Sequence, residues 1–276
     1  MSAAGAASGP GGSAAGAGAG PRLQITDLGI AFGSRPVVAL DELSVGAAEI
    51  VGLAGESGSG KSMTTLAVLG LAHTVGASVT GSIRLDGQEL TVLSQSQLRE
   101  LRGSRIAAVF QNPAAAFSPV YRVGHVVRRA LRRHGLGGSE ADDRAAAAMR
   151  SVLLPPDLLR RYPSQLSGGQ LQRVAIALAL ALQAQVLLAD EPTSALDVTV
   201  QAEVLELLRG LRESAGLSIL FISHDLAVVA ELCDRVAVLR AGAIVEQGPA
   251  ARLLSTPASE YTAELLAAVP GLEAEA

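Results

Sequence analysis

The segment Gly55-Glu56-Ser57-Gly58-Ser59-Gly60-Lys61-Ser62 constrains this chain more than any other stretch. It follows Glu49–Ala54, which reads as a buried strand, and precedes Ser62–Leu71, which has the length and composition of a helix. Glycines at such a strand-to-helix turn let backbone N–H groups face inward around phosphate oxygens with no Cβ in the way. The positive end of the following helix adds to that attraction. Lys61 is placed to reach the β- and γ-phosphates, and the Ser62 hydroxyl to ligate Mg²⁺. A glycine-rich turn that merely happens to precede a lysine would lack the flanking strand and helix. The expected ligands are a nucleoside triphosphate and Mg²⁺.

A second site supports the first. Val186-Leu187-Leu188-Ala189-Asp190-Glu191 is an apolar strand ending in two acids. Asp190 would hold the metal and Glu191 would polarise an attacking water. Alone, two acids after a strand more often open a helix. Combined with the glycine loop, they read as catalytic.

Around these motifs the chain alternates strand and helix. Arg22–Leu53 mixes short apolar runs with turn residues, as antiparallel strands do. Ile83–Gly87 is strand then turn, and Ile106–Phe110 is a strand ending at Gln111. From about Pro113 to Gln165, Arg and Ala recur at helical spacing, broken by Pro155-Pro156 and Pro163. Strand-like Val186–Ala189, Ser218–Ser223 and Arg235–Leu239 then alternate with helical stretches such as Val200–Glu213. The expected class is α/β: a P-loop core with a mainly parallel sheet, an N-terminal antiparallel β-subdomain and an inserted α-helical subdomain at about 113–183.

With 276 residues, 49% of them hydrophobic, the chain can bury a sizeable core. Its 22 basic and 26 acidic residues give no mark of a nucleic-acid binder. The longest fully apolar run, Val174–Leu182, is too short to cross a bilayer, which needs about 20 residues. The lone Cys233 excludes an internal disulfide and reads as a small core residue in a reducing compartment. After Met1, residues up to 21 are Gly, Ala, Ser and Pro with no charged side chain and read as a disordered tail without the features of a secretory signal. The folded unit is expected over 22–270, followed by a short tail at 271–276.

Leu166-Ser167-Gly168-Gly169-Gln170 opens a long helix, Leu171–Leu182. Physically it is another anion-binding helix start, with two glycines and a serine hydroxyl. One chain has already surrounded one triphosphate, so this second cradle points to the nucleotide of another subunit. Leu-Ser-Gly-Gly-Gln resembles the signature of the ATP-binding-cassette (ABC) ATPases, and the resemblance runs from about Arg22 to Pro270. It implies a head-to-tail dimer, homo- or heteromeric, with two ATP molecules between Gly55–Ser62 of one subunit and Ser167–Gln170 of the other. By the same resemblance, Gln111 is the loop glutamine that touches the metal and the membrane partner. Ser194-Ala195-Leu196-Asp197 is the loop that communicates across the dimer. His224 is the switch histidine that senses the γ-phosphate. Phe32 would stack on adenine, or else be a packed strand aromatic. The stretch Ser44–Glu49 is shorter than usual for the family, and Ala48 stands where a glycine is common.

Three stretches resemble the oligopeptide, dipeptide and nickel importers within that family. They are Phe110-Gln111-Asn112-Pro113 with Phe117-Ser118-Pro119, Tyr162-Pro163 with Asp190–Ala202, and Pro257 to Tyr261-Thr262, Leu265-Leu266 and Pro270. Ser259-Glu260 departs from the His-Pro usual before Tyr-Thr, and no cysteine follows Cys233, so the cysteine-containing tail of longer members is not expected. The resemblance implies an ATP-hydrolysing importer subunit at the cytoplasmic membrane face. Its partners would be two permease subunits and an extracytoplasmic substrate-binding protein. Alternatives are a soluble, non-transport ABC ATPase and a cassette that binds ATP without hydrolysing it; the presence of Glu191 speaks against the second. Peptide and nickel stay open as cargo.

Overall fold

Alternation of apolar and polar residues sets the first sheet. β1 (Leu23–Phe32) and β2 (Arg35–Val45) bury every second side chain and pair antiparallel through a tight turn. After β3 (Ile50–Ala54) and α1 (Lys61–Val68), β4 (Ser78–Leu85) returns to the other side of β1, and β5 (Gln88–Glu89) pairs with it. The result is an antiparallel sheet in the order β2-β1-β4-β5. The computed structural model describes residues 20–268. The tails expected at 1–21 and 271–276, and Pro270, lie outside the described residues except for positions 20 and 21.

The second sheet takes its central strands from runs that are apolar on both faces. α2 (Gln95–Leu101) leads to β6 (Ile106–Phe110), and α3 (Val123–Arg133), α4 (Gly138–Ser151) and α5 (Gly168–Ala181) follow. Then come β7 (Val186–Asp190), α6 (Val198–Ala215), β8 (Ser218–Ser223), α7 (Leu226–Leu232), β9 (Arg235–Arg240), β10 (Ala243–Pro249), α8 (Ala250–Ser255) and α9 (Glu260–Ala267). The strand order is β10-β9-β3-β8-β7-β6, all parallel except β10. Helices cover the face that such a sheet must hide from water.

Period-2 geometry splits the core between the two faces of this sheet. Ile50, Leu187, Ile219, Phe221 and Val236 point to the helical side, with α3 to α7. Val51, Leu53, Leu188, Leu220 and Leu239 point the other way, toward α1 and the antiparallel sheet. Alternate residues of one strand thus serve two cores.

Three differences from the sequence expectation have physical causes. The stretch Arg22–Leu53 is not antiparallel throughout: Ile50–Ala54 leaves the first sheet and pairs parallel with β8 and β9, because its five residues are all buried and need a partner on each face. The helix expected over Ser62–Leu71 stops at Val68, where Gly70 turns the chain at φ 64° and Leu71 N–H reaches back to the Leu66 carbonyl. The short elements α2, α7, α8 and α9 and the strand β10 have no counterpart in the sequence reading. Every residue of β10 is exposed or half-buried, so the buried apolar run that marks the other strands is missing there.

Candidate functional site

The four strands β6, β7, β8 and β3 lie side by side, and their register brings their carboxyl ends to one edge. Phe110 pairs with Asp190, Asp190 with Ile222, and Ala54 with Ser223. The first residue beyond each strand is therefore Gln111, Glu191, His224 or Gly55. Ligands of open parallel sheets bind at this edge. A cavity of about 780 Å³ opens there, lined among others by Ser57, Gly58, Gly60, Lys61, Ser62, Gln111, Asp190 and Glu191.

The glycine loop has the conformation its sequence demands. Gly55 and Gly60 have φ of 149° and 108°, and a Cβ at Gly55 would lie 2.1 Å from the Leu239 carbonyl oxygen. Neither position could take a side chain without moving β9 or β2. Ser59 is buried and its hydroxyl has no protein partner, so it is free for a ligand of the loop. Glu56 and Ser57 are exposed along the loop.

Lys61, the only lysine in the sequence, is 5% exposed. Its Nζ donates to the carbonyls of Gly55 at 2.7 Å and Glu56 at 2.8 Å. Burial lowers its pKa, and the charges of Glu191, Asp190 and Glu56 work against that shift. An ammonium has three donors, so one stays available for a phosphate oxygen.

Ser62 donates its hydroxyl to Asp190 Oδ1 at 3.1 Å, joining the start of α1 to the end of β7. Asp190 is 5% exposed. Burial raises its pKa, the Ser62 bond lowers it, Glu191 raises it and Lys61 lowers it. Two hard oxygen donors side by side suit Mg²⁺. Among the described residues no group of three His, Cys, Asp or Glu gathers as a metal cage. A cation here would have to share its coordination with phosphate oxygens.

Glu191 adopts a left-handed φ of 48°, unusual for a residue with a side chain. Its N–H is fixed to the Ile222 carbonyl at 2.9 Å, and its Oε1 lies 3.1 Å from His224 Nδ1. The carboxyl is 16% exposed and the imidazole 50% exposed. The strained backbone aims the carboxylate toward the cavity and the histidine at the next strand end holds it. That contact could not be read from the sequence, in which His224 was expected only to sense phosphate.

The signature segment lies elsewhere. None of Ser167, Gly168, Gly169 or Gln170 lines the cavity. Ser167 caps α5: its Oγ accepts the Gln170 N–H at 3.2 Å, and Gln170 Oε1 accepts the Ser167 N–H at 3.0 Å. The Ser167 hydroxyl proton is still free to donate. Gly169 is buried, and a Cβ there would lie 2.3 Å from Val200 Cγ1, so this glycine allows α5 to approach α6. Only Ser167 and Gly168 present an open surface. Asp197 caps α6, accepting the Val200 N–H at 3.0 Å.

Phe32 ends β1 and is 38% exposed, more open than an aromatic packed in the core. It is not among the residues lining the cavity. Ala48 has φ 52°, which explains physically why a glycine is common at this position.

A strand–glycine loop–helix, a strand-end acid pair and a second helix start turned away from them define an ATPase of the cassette type. The ABC transporter family profile matches residues 40–194. A Brucella abortus protein, provisionally named a peptide import ATP-binding protein, is 44% identical over 92% of this chain and 78% of its own. The dipeptide transport ATP-binding protein DppD of Haemophilus influenzae is 40% identical over 90% of this chain and 77% of its own. A solved cassette, MJ0796, described as a dimer in a post-hydrolysis state with ADP and Pi, superposes with TM-score 0.70 at 28% identity, over 83% of this chain and 98% of that one. The chain belongs to the ABC transporter family and is an ATP-binding, ATP-hydrolysing subunit of it.

Proposed function

We propose that the chain drives peptide import, coupling ATP hydrolysis to partner permease subunits. The carrying observation is the convergence of Gly55, Gln111, Glu191 and His224 at one sheet edge, in a chain whose relatives are named for peptide and dipeptide import. Those names favour peptide over nickel as cargo. Among the described residues no helix is long and apolar enough to span a bilayer. In this reading the permeation path belongs to other subunits, and this one works at the cytoplasmic face of the membrane. A substrate-binding protein completes the assembly. The ATP-binding unit extends over 22–270, with its helical lobe at about 113–183.

The residue roles follow from the site. The N–H groups of Gly55–Ser62 and the third donor of Lys61 hold the β- and γ-phosphates. Ser62, Asp190 and Gln111 would hold Mg²⁺, which when bound would neutralise charge developing on the phosphates. Glu191 accepts a proton from the attacking water, and His224 orients Glu191 and meets the γ-phosphate. Ser167, Gly168 and Gln170 reach the nucleotide of a second subunit, with Asp197 at the same interface. Phe32 stacks on adenine.

The test has two levels. Glu191→Gln should lower ATP turnover by about 10²- to 10⁴-fold while ATP binding persists, and wild-type turnover would remove Glu191 from its role. Lys61→Ala should weaken ATP binding by about tenfold or more. In vesicles holding the permease subunits and the binding protein, peptide should stimulate ATPase activity and enter the lumen. ATPase activity indifferent to permease and peptide would favour a soluble, non-transport ATPase.

A further inference from the structure

We propose that Tyr261, on the C-terminal helix α9, is a positioning residue for the nucleotide site, holding the first peptide of the phosphate loop through its hydroxyl. The inference rests on the reading that Gly55–Ser62 binds ATP. Tyr261 lies 205 positions from Glu56, yet its hydroxyl accepts the Glu56 N–H at 3.4 Å. The ring is 4% exposed and lies under the Arg240 guanidinium, 4.5 Å from its centre. Leu239, the neighbour of Arg240, supplies the carbonyl that closes on Gly55. The end of β9 and the start of α9 therefore brace the same two loop residues.

The Gly55–Glu56 peptide is bonded on both of its edges. The Gly55 carbonyl accepts from Lys61 Nζ at 2.7 Å, and the Glu56 N–H in the same plane donates to Tyr261. A peptide plane fixed on one edge cannot rotate without losing the bond on the other. Tyr261 thus keeps the Gly55 carbonyl aimed at Lys61, which leaves the third lysine donor pointed into the cavity. Burial raises the phenol pKa above its ordinary value, so the hydroxyl stays neutral through the working pH range.

The start of α9 is itself held. Glu246 on β10 accepts the N–H groups of Ala258 at 2.8 Å and Ser259 at 3.0 Å, just before the helix. The C-terminal segment is therefore a strut running from the edge of the parallel sheet to the loop. This gives Tyr261 a task in ATP binding that the phosphate-site motifs do not supply.

Tyr261→Phe in the full chain is the test, with Mg²⁺-ATP affinity and steady-state ATPase measured beside wild type. Losing one neutral hydrogen bond to the loop should raise Kd and KM for ATP roughly two- to tenfold, with kcat within about twofold. The melting temperature should stay within about 2 °C, since the ring and its packing remain. Unchanged Kd and KM would overturn the proposal. So would an affinity loss matched by a large fall in melting temperature, which would make Tyr261 a packing residue only. Lys61→Ala in parallel separates the two claims: if it too leaves ATP affinity intact, the loop itself has been misread. If it alone loses affinity, only the role of Tyr261 fails.

Discussion

Asp190 carries opposing demands. In its proposed role of holding Mg²⁺ it would be an anion, yet it is buried, and burial raises its pKa. In the folded chain it keeps its proton at a pH where the unfolded chain has released it. Its stabilising contribution is therefore present below its ordinary value and is lost as pH rises through the raised one. Asp190→Asn keeps an oxygen for the Ser62 hydroxyl and removes the charge. The variant should become progressively more stable than wild type as pH climbs from about 3.8, followed by urea unfolding in the absence of nucleotide. A constant difference at every pH would contradict the burial argument. Its ATPase activity should be lost, as happens where stability is traded for function. Ala48 presents a simpler conflict, since φ 52° is disfavoured for any residue with a Cβ by about 1–2 kcal/mol. Glycine would recover that at an entropic cost of about 0.5–1 kcal/mol. Ala48→Gly should stabilise the chain by roughly 0.5 kcal/mol in denaturant titration, with ATP affinity unaltered.

At the scale of elements, the start of α5 separates two glycines that look alike in sequence. Gly168 has its nearest would-be neighbour, Leu196 Cδ2, at 3.6 Å, an ordinary contact, while Gly169 would drive a methyl into Val200. Gly169→Ala should therefore destabilise by about 1–3 kcal/mol in thermal unfolding, and Gly168→Ala by less than about 1 kcal/mol. Equal losses would mean that α5 does not rely on close approach to α6. The sequence could suggest that both glycines face phosphate, but the helix pair that claims Gly169 is a tertiary fact with no local signal. The same limit explains the rest of what was and was not legible. β3, β7 and β8 could be read because each is a short apolar run with every residue buried, and β6 because its apolar run stops at Gln111; the residue after each run is the one proposed to function. β10 could not, because an edge strand with one exposed face lacks that run. Tyr261 could be noticed as part of a recurring text, but its contact with Glu56 spans almost the whole chain.

At the scale of the whole molecule, one chain presents two half-sites that do not meet. The cavity beside Lys61 holds no residue of Ser167–Gln170, and Ser167 and Gly168 are exposed. A helix N-terminus attracts anions only at short range, within its first turn. In the proposed dimer the second cradle would act only when another subunit brings a phosphate to it; the solved cassette described as a dimer with ADP and Pi has the same fold. ATP should then be the link between subunits. In Glu191→Gln, which holds ATP without consuming it, Mg²⁺-ATP should convert a 28.0 kDa monomer into a species of twice that mass by light scattering. Lys61→Ala should remain monomeric because its loop no longer holds the nucleotide. Adding Ser167→Glu to Glu191→Gln places a carboxylate against the incoming phosphate. The doubly substituted chain should bind ATP within about twofold of the single variant and yet fail to dimerise, since like charges at such range are strongly disfavoured. If it dimerises as readily, the outward-facing cradle is not where the second nucleotide docks.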